Sequence, residues 1–242
     1  ATSTNMSIGG ASTFVAGTGN VSITNSNNLL TGQVTVTNGT AVSVVNNRTT
    51  NLGVVNAIGN VNITTNTGNL TLNGNVVSTG GNVTLAAGSA SAVASSATAN
   101  GAVTGGDVIK GTVTSVTAGT GKTVAIYSGN ADSATLATLV TNGTTSQNKA
   151  YQTNVSGGAG TISASKALNL FYRVTPVLTV TGGVGANKVY DTTTNAQVTS
   201  NSSGLVQLGN STLADGSLAA NTSFAASGVG SSALFSNGSA GT

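Results

Sequence analysis

In 242 residues the chain carries seven cations, four acids and no Glu, His, Cys or Trp, and charged residues make up 5% of it, against roughly 25% in an ordinary soluble domain. The net charge of +3 is spread from Arg48 to Lys188 with no two cations adjacent, which excludes the clustered basic footprint of a nucleic-acid binder. The missing cysteines exclude a disulfide scaffold and thiol chemistry, and no apolar run approaches the roughly 18 residues of a membrane span.

So little charge with so much Gly, Ser, Thr and Asn is also the composition of a disordered linker. The 38% of hydrophobic residues, however, are too numerous and too regularly placed for that. The opening "ATSTNMSIGG" has neither the basic end nor the apolar core of a signal peptide. It also lacks an initiator Met, so the expectation is a mature or excised piece of something longer.

In chain order, the first strand signal is Gly19-Asn20-Val21-Ser22-Ile23, followed by Gly32-Gln33-Val34-Thr35-Val36. The phrase then recurs as Gly59-Asn60-Val61-Asn62-Ile63, Gly68-Asn69-Leu70-Thr71-Leu72 and Gly81-Asn82-Val83-Thr84-Leu85. Alternation of period two sends Val61 and Ile63 to one face and Asn62 and Thr64 to the other. Gly and Asn at the boundaries tolerate the left-handed conformations of sharp corners. The step from Gly59 to Gly81 is 22 residues, and that from Gly19 to Gly59 is 40, or two steps of 20.

Two interleaved strand families with a period of roughly 20 predict an all-β fold, a parallel β-helix (β-solenoid), with an antiparallel sandwich as the competing reading. In the solenoid Val21, Ile23, Val34, Val36, Val61, Ile63, Leu70, Leu72, Val83 and Leu85 point inward, and asparagines stack in ladders at the corners. From 101 to 129 the alternation loosens but persists through Val113, Val116, Val124 and Ile126. The stretch 131–140 has helical character, with Asp132 or Ser133 as its cap.

The run 160–180 brings the lone proline, Pro176, and the adjacent aromatics Phe171 and Tyr172. Such a change of composition marks a boundary. The expected organisation is a solenoid over 1–175, closed by Phe171 and Tyr172, and a small β domain over 176–242. In that domain Tyr190 packs on Val180 or Leu205, and Asp191 caps its turn through Thr193.

Chemistry-bearing patterns are few. "GTGKT" (119–123) suggests a phosphate loop, but the template needs a Gly where Val116 stands, so a polar turn between strands is the better reading. The four acids, Asp107, Asp132, Asp191 and Asp215, lie 24 or more residues apart, which does not supply the carboxylate pair of a glycosidase. With no His or Cys, transition-metal ligation is poorly supplied, and no cofactor is expected. Tyr190-Asp191 reads as a packing ring beside a turn cap rather than a ligand contact. Asn-x-Ser/Thr triplets make Asn20, Asn62, Asn69 and Asn82 candidate glycan acceptors, although a chain rich in Asn, Ser and Thr forms such triplets by chance.

Two stretches carry a resemblance. "FYRVTPVLTVTGGVGANKVYDTTTNA" (171–196) resembles the entry to the YDG domain of filamentous-haemagglutinin-type exoproteins of two-partner secretion systems. The hallmark Lys-Val-Tyr-Asp-Gly-Thr-Thr stands here as Lys188-Val189-Tyr190-Asp191-Thr192-Thr193-Thr194, with Thr in place of Gly. The segment "VAIYSGNADSATLATLV" and the run Tyr172, Arg173, Pro176 are similar to what precedes that domain, and the Gly-Asn repeats to the family's β-helical shaft.

The resemblance implies a non-catalytic segment of a large adhesin, secreted or held at the surface of a Gram-negative bacterium through an outer-membrane secretion partner. It acts as a rigid shaft in cell-surface, host or biofilm attachment. Two other functions stay open: a self-assembling extracellular matrix or surface-layer filament, and a β-solenoid that binds carbohydrate, surface polysaccharide or ice.

Overall fold

A computed structural model describes residues 4–91, 105–130, 136, 138, 139, 141, 147–151, 153–158, 161–174, 184, 185, 198 and 199. The chain divides into two compact units, Ala1–Val177 with Ala214–Gly216, and Leu178–Leu213 with Ser217–Thr242. Among the described residues there is no α-helix, and the fold is all-β with parallel sheets.

In chain order the strands of the first unit are β1 (Ser7–Ile8), β2 (Ser12–Val15), β3 (Val21–Ile23), β4 (Leu29–Leu30), β5 (Gln33–Asn38), β6 (Val42–Asn46), β7 (Thr50–Ala57), β8 (Val61–Thr65) and β9 (Leu70–Leu72). There follow β10 (Val76–Ser78), β11 (Val83–Ala86), β12 (Val108–Lys110), β13 (Val116–Thr117), β14 (Val124–Ser128), β15 (Gln147–Tyr151), β16 (Thr153–Asn154), β17 (Gly157–Gly158) and β18 (Leu168–Tyr172). The described part of the second unit is one antiparallel pair, β19 (Val184–Gly185) with β20 (Val198–Thr199). Tyr190, Pro176 and the segment 131–135 lie outside the described residues, and with them the expected connector, turn cap and helix cap.

Two seven-stranded parallel sheets organise the first unit. In one, β2 pairs β5 and β5 pairs β7; the long β7 then takes β9 on its first half and β10 on its second, and these carry β12 and β13. The other runs β3, β6, β8, β11, β14, β18, β15. Early partners lie about one repeat apart, Val21 against Val42 and Val42 against Val61. Later partners lie about two repeats apart, Val83 against Val124 and Leu70 against Val108.

Because register partners share a face of a parallel sheet, each apolar phrase adds to a row. Val21, Val42, Val61, Val83, Val124 and Leu168 form one such row, and Ile23, Val44, Ile63, Leu85, Ile126 and Leu170 the next. All ten residues expected to point inward are buried, eight of them at 1% exposure or less; Val21 and Ile23, on the edge strand β3, reach 7% and 9%. Val113, Val116, Val124 and Ile126 are buried as well. Asn28 and Asn46 are among the buried polar residues. Asn46 donates to Leu30 O and accepts from Leu30 N, while Asn28 donates to Ile23 O and Val45 O and accepts from Met6 N. Each replaces a missing ladder partner, the condition under which a buried amide is tolerated.

The sequence expectation fails at the late end of the second sheet. Phe171 and Tyr172 do not close an open end: β18 lies between β14 and β15, and all five of its residues are buried. The rings stack on neighbouring strands instead, Phe171 on Tyr127 at 4.7 Å and Tyr172 on Tyr151 at 5.7 Å. The outward residues Ala125, Asn169 and Phe171 are buried too, and the Asn169 amide donates to Ser163 O and Lys166 O of the segment before β18.

Candidate functional site

The repeated Gly-Asn corner is the chemistry that recurs most often, and each residue of the pair has its own reason. A Cβ on Gly81 would lie on the backbone of Gly59 and Asn60, and one on Gly32 on the backbone of Gly10 and Ala11. Only glycine lets successive turns approach so closely. The asparagine then satisfies the turn that follows. Asn20 Oδ1 accepts from Ala41 N (3.1 Å), Asn60 from Asn82 N (2.9 Å), Asn82 from Thr123 N (3.0 Å) and Asn69 from Asp107 N (2.9 Å). Of the candidate glycan acceptors, Asn20, Asn69 and Asn82 therefore hold the backbone of a neighbouring segment through Oδ1. Asn62 is exposed on the outward row of β8. Lys188, Val189, Tyr190 and Asp191 lie outside the described residues.

"GTGKT" forms the polar turn between β13 and β14, with Gly121 at φ 70° and Lys122 N donating to Gly119 O. Asp107 is the one acid among the described residues; Asp132, Asp191 and Asp215 lie outside them.

The densest polar cluster gathers around Arg173, directly after β18. This side chain is fully buried, and its guanidinium donates to Ala87 O and Gly106 O. Gly88, Gly105 and Gly106 all have positive φ (60°, 138° and 118°), and a Cβ on Gly88 would meet both the Gly105 carbonyl and the guanidinium. Burial pulls the Arg173 pKa down from its ordinary range, and the charge of Asp107 opposes the shift. Asp107 accepts from Ser128 Oγ (3.2 Å), Asn130 N (2.6 Å) and Asn130 Nδ2 (3.2 Å). Ser128 Oγ also accepts from Val108 N at 3.0 Å, so both of its hydrogen-bonding directions are occupied. The cluster ties four chain segments together by charge-assisted bonds.

Sequence reading missed this role of Arg173, since a lone cation carries no periodic signal. The one available cue was its place at the end of the apolar run "LNLFYRV". Comparison with protein-family models, with curated proteins and with solved structures finds no match to this chain.

Proposed function

We propose that residues 1–175 are a β-solenoid shaft, followed over 176–242 by a small YDG-like β domain, in a non-catalytic segment of a large bacterial adhesin. The observation that carries the shaft is the pairing register: strands about 20 residues apart stack in parallel, alternately in two sheets, along one apolar interior. The Gly-Asn corners support it, since each turn leaves room for the next and hydrogen-bonds to it. The adhesin assignment rests on the resemblance of 171–196. With it come secretion or surface display in a Gram-negative bacterium, an outer-membrane secretion partner and a part in host or biofilm attachment.

A carbohydrate-binding function is the second reading, favoured by the outward row Ser22, Ser43, Asn62 and Thr84 on the second sheet. The row continues into Ala125 and Asn169, both buried, which leaves a short binding face. Small-angle scattering and a glycan array on the isolated chain separate the readings. A shaft gives elongated particles that capture no glycan. Glycan capture lost in Asn62→Ala with Thr84→Ala favours the second reading, and globular particles overturn the first.

A further inference from the structure

β11 pairs β8 and β12 pairs β9, so the corner joining β11 to β12 lies against the corner joining β8 to β9. The two differ in length. The earlier corner uses five residues, 65–69, between register positions Thr64 and Leu70; the later one uses twenty-one, 87–107, between Ala86 and Val108, an excess of sixteen. Both ends of the longer corner nevertheless follow the shorter one. On the way out, Gly88 N donates to Thr65 Oγ1 (3.1 Å), Ser89 N to Thr65 O and Ala90 N to Asn66 O. On the return, a Cβ on Gly106 would lie on the Gly68 carbonyl, and Asp107 N donates to Asn69 Oδ1 (2.9 Å). Gly106-Asp107-Val108 thus sits on Gly68-Asn69-Leu70 as one more copy of the Gly-Asn phrase, with Asp for Asn. The two ends also meet: a Cβ on Gly88 would fall on the Gly105 carbonyl, and one on Gly105 on the Ser91 side chain.

We propose that residues 92–104 are an insertion into an otherwise continuous corner, dispensable to the paired strands, and that this corner is a grafting point for added sequence. Two side chains hold its base. Arg173 donates to Ala87 O on the outgoing side and to Gly106 O on the returning side, and so bridges the two. Buried Asn154 donates through Nδ2 to Ser89 O (3.2 Å) and Ser91 O (2.7 Å). All of these contacts are made by residues up to Ser91 or from Gly105 onward. The segment between them, "AVASSATANGAVT", has no charged or aromatic residue and no apolar side chain larger than valine, which limits the apolar burial that its removal can cost. Where the two ends are already held together, the length of the loop between them weighs little on stability. The inference stands on strand pairing and these contacts, and is independent of the adhesin reading.

The test uses the full chain. One variant replaces 92–104 with an equal length of Gly and Ser; a second deletes 92–104 and joins Ser91 to Gly105. Urea unfolding followed by circular dichroism compares both with the native protein. The replacement is expected to unfold at the native midpoint, and the deletion at or above it, since a shorter loop closes at a lower entropic cost. A replacement that is unfolded, or whose midpoint falls by more than about 0.5 M urea, overturns the claim that the segment is dispensable. With the replacement native, a deletion that fails to fold overturns the claim that the corner is continuous without it. Hydrogen exchange reads the corner itself. The Gly88 and Asp107 amides, which donate to Thr65 Oγ1 and Asn69 Oδ1, should exchange at native rates in the replacement, and exchange about tenfold faster at either overturns the proposal.

Discussion

Replacing Arg173 by alanine removes the donor of two hydrogen bonds at once, the buried one to Ala87 O and the partly buried one to Gly106 O. A buried acceptor left without a partner costs roughly 1–3 kcal/mol, and each methylene of the lost stem forfeits about 0.8 kcal/mol of burial. Asp107 keeps its three donors from Ser128 and Asn130, so the loss falls on the two carbonyls and the emptied space. The expected destabilisation is about 3–5 kcal/mol, a large part of the stability of an ordinary domain. Arg173→Lys, a point charge that cannot bridge both carbonyls, should lose about half as much. Urea unfolding followed in parallel by far-ultraviolet circular dichroism and tyrosine fluorescence measures both. A midpoint for Arg173→Ala within about 1 kcal/mol of the native chain would refute the assignment of Arg173 as the clasp of these segments.

Gly81→Ala should destabilise by about 1–3 kcal/mol or more, because its Cβ would fall on the backbone of Gly59 and Asn60. Gly9→Ala, with nothing within 4 Å of the added carbon, should change stability by about 0.5 kcal/mol or less, and paired thermal melts check the contrast. Burial pushes the Tyr127 hydroxyl above its ordinary pKa of 10.0. The unfolded chain thus loses this proton first, so the contribution is fully present below about pH 10 and declines as pH rises beyond it. Unfolding midpoints measured between pH 8 and 11 should fall less steeply in Tyr127→Phe.

The rows were legible in the sequence because alternation is a local property. Val61 and Ile63, or Val83 and Leu85, announce a buried face without knowledge of their partners. β6 was not recognised as a step because Thr40-Ala41 stands where the other phrases have Gly-Asn, yet Val42 and Val44 fill the gap between Gly19 and Gly59. The place of Phe171 and Tyr172 could not be read at all. Nothing in "LNLFY" says that a strand from earlier in the chain lies beyond it, and order within a sheet is a property of the whole chain. The same holds for Arg173, whose partners lie 86 and 67 residues away.

The insertion of β18 between β14 and β15 imposes an order in time. The early strands can each pair with one made about 20 residues before, at a small loop-closure cost, so that part can grow from its N-terminus as the chain is delivered. β15 breaks that rule: when it emerges, its partner does not yet exist, and the row it offers to β14 holds Gln147 and Lys149 where Leu168 and Leu170 belong. It has to wait for β18, and the Arg173 clasp forms only after that. The late edge is thus the last part whose pairing partners become available. A chain interrupted anywhere between Tyr151 and Leu168 keeps an orderly beginning and an unfinished end.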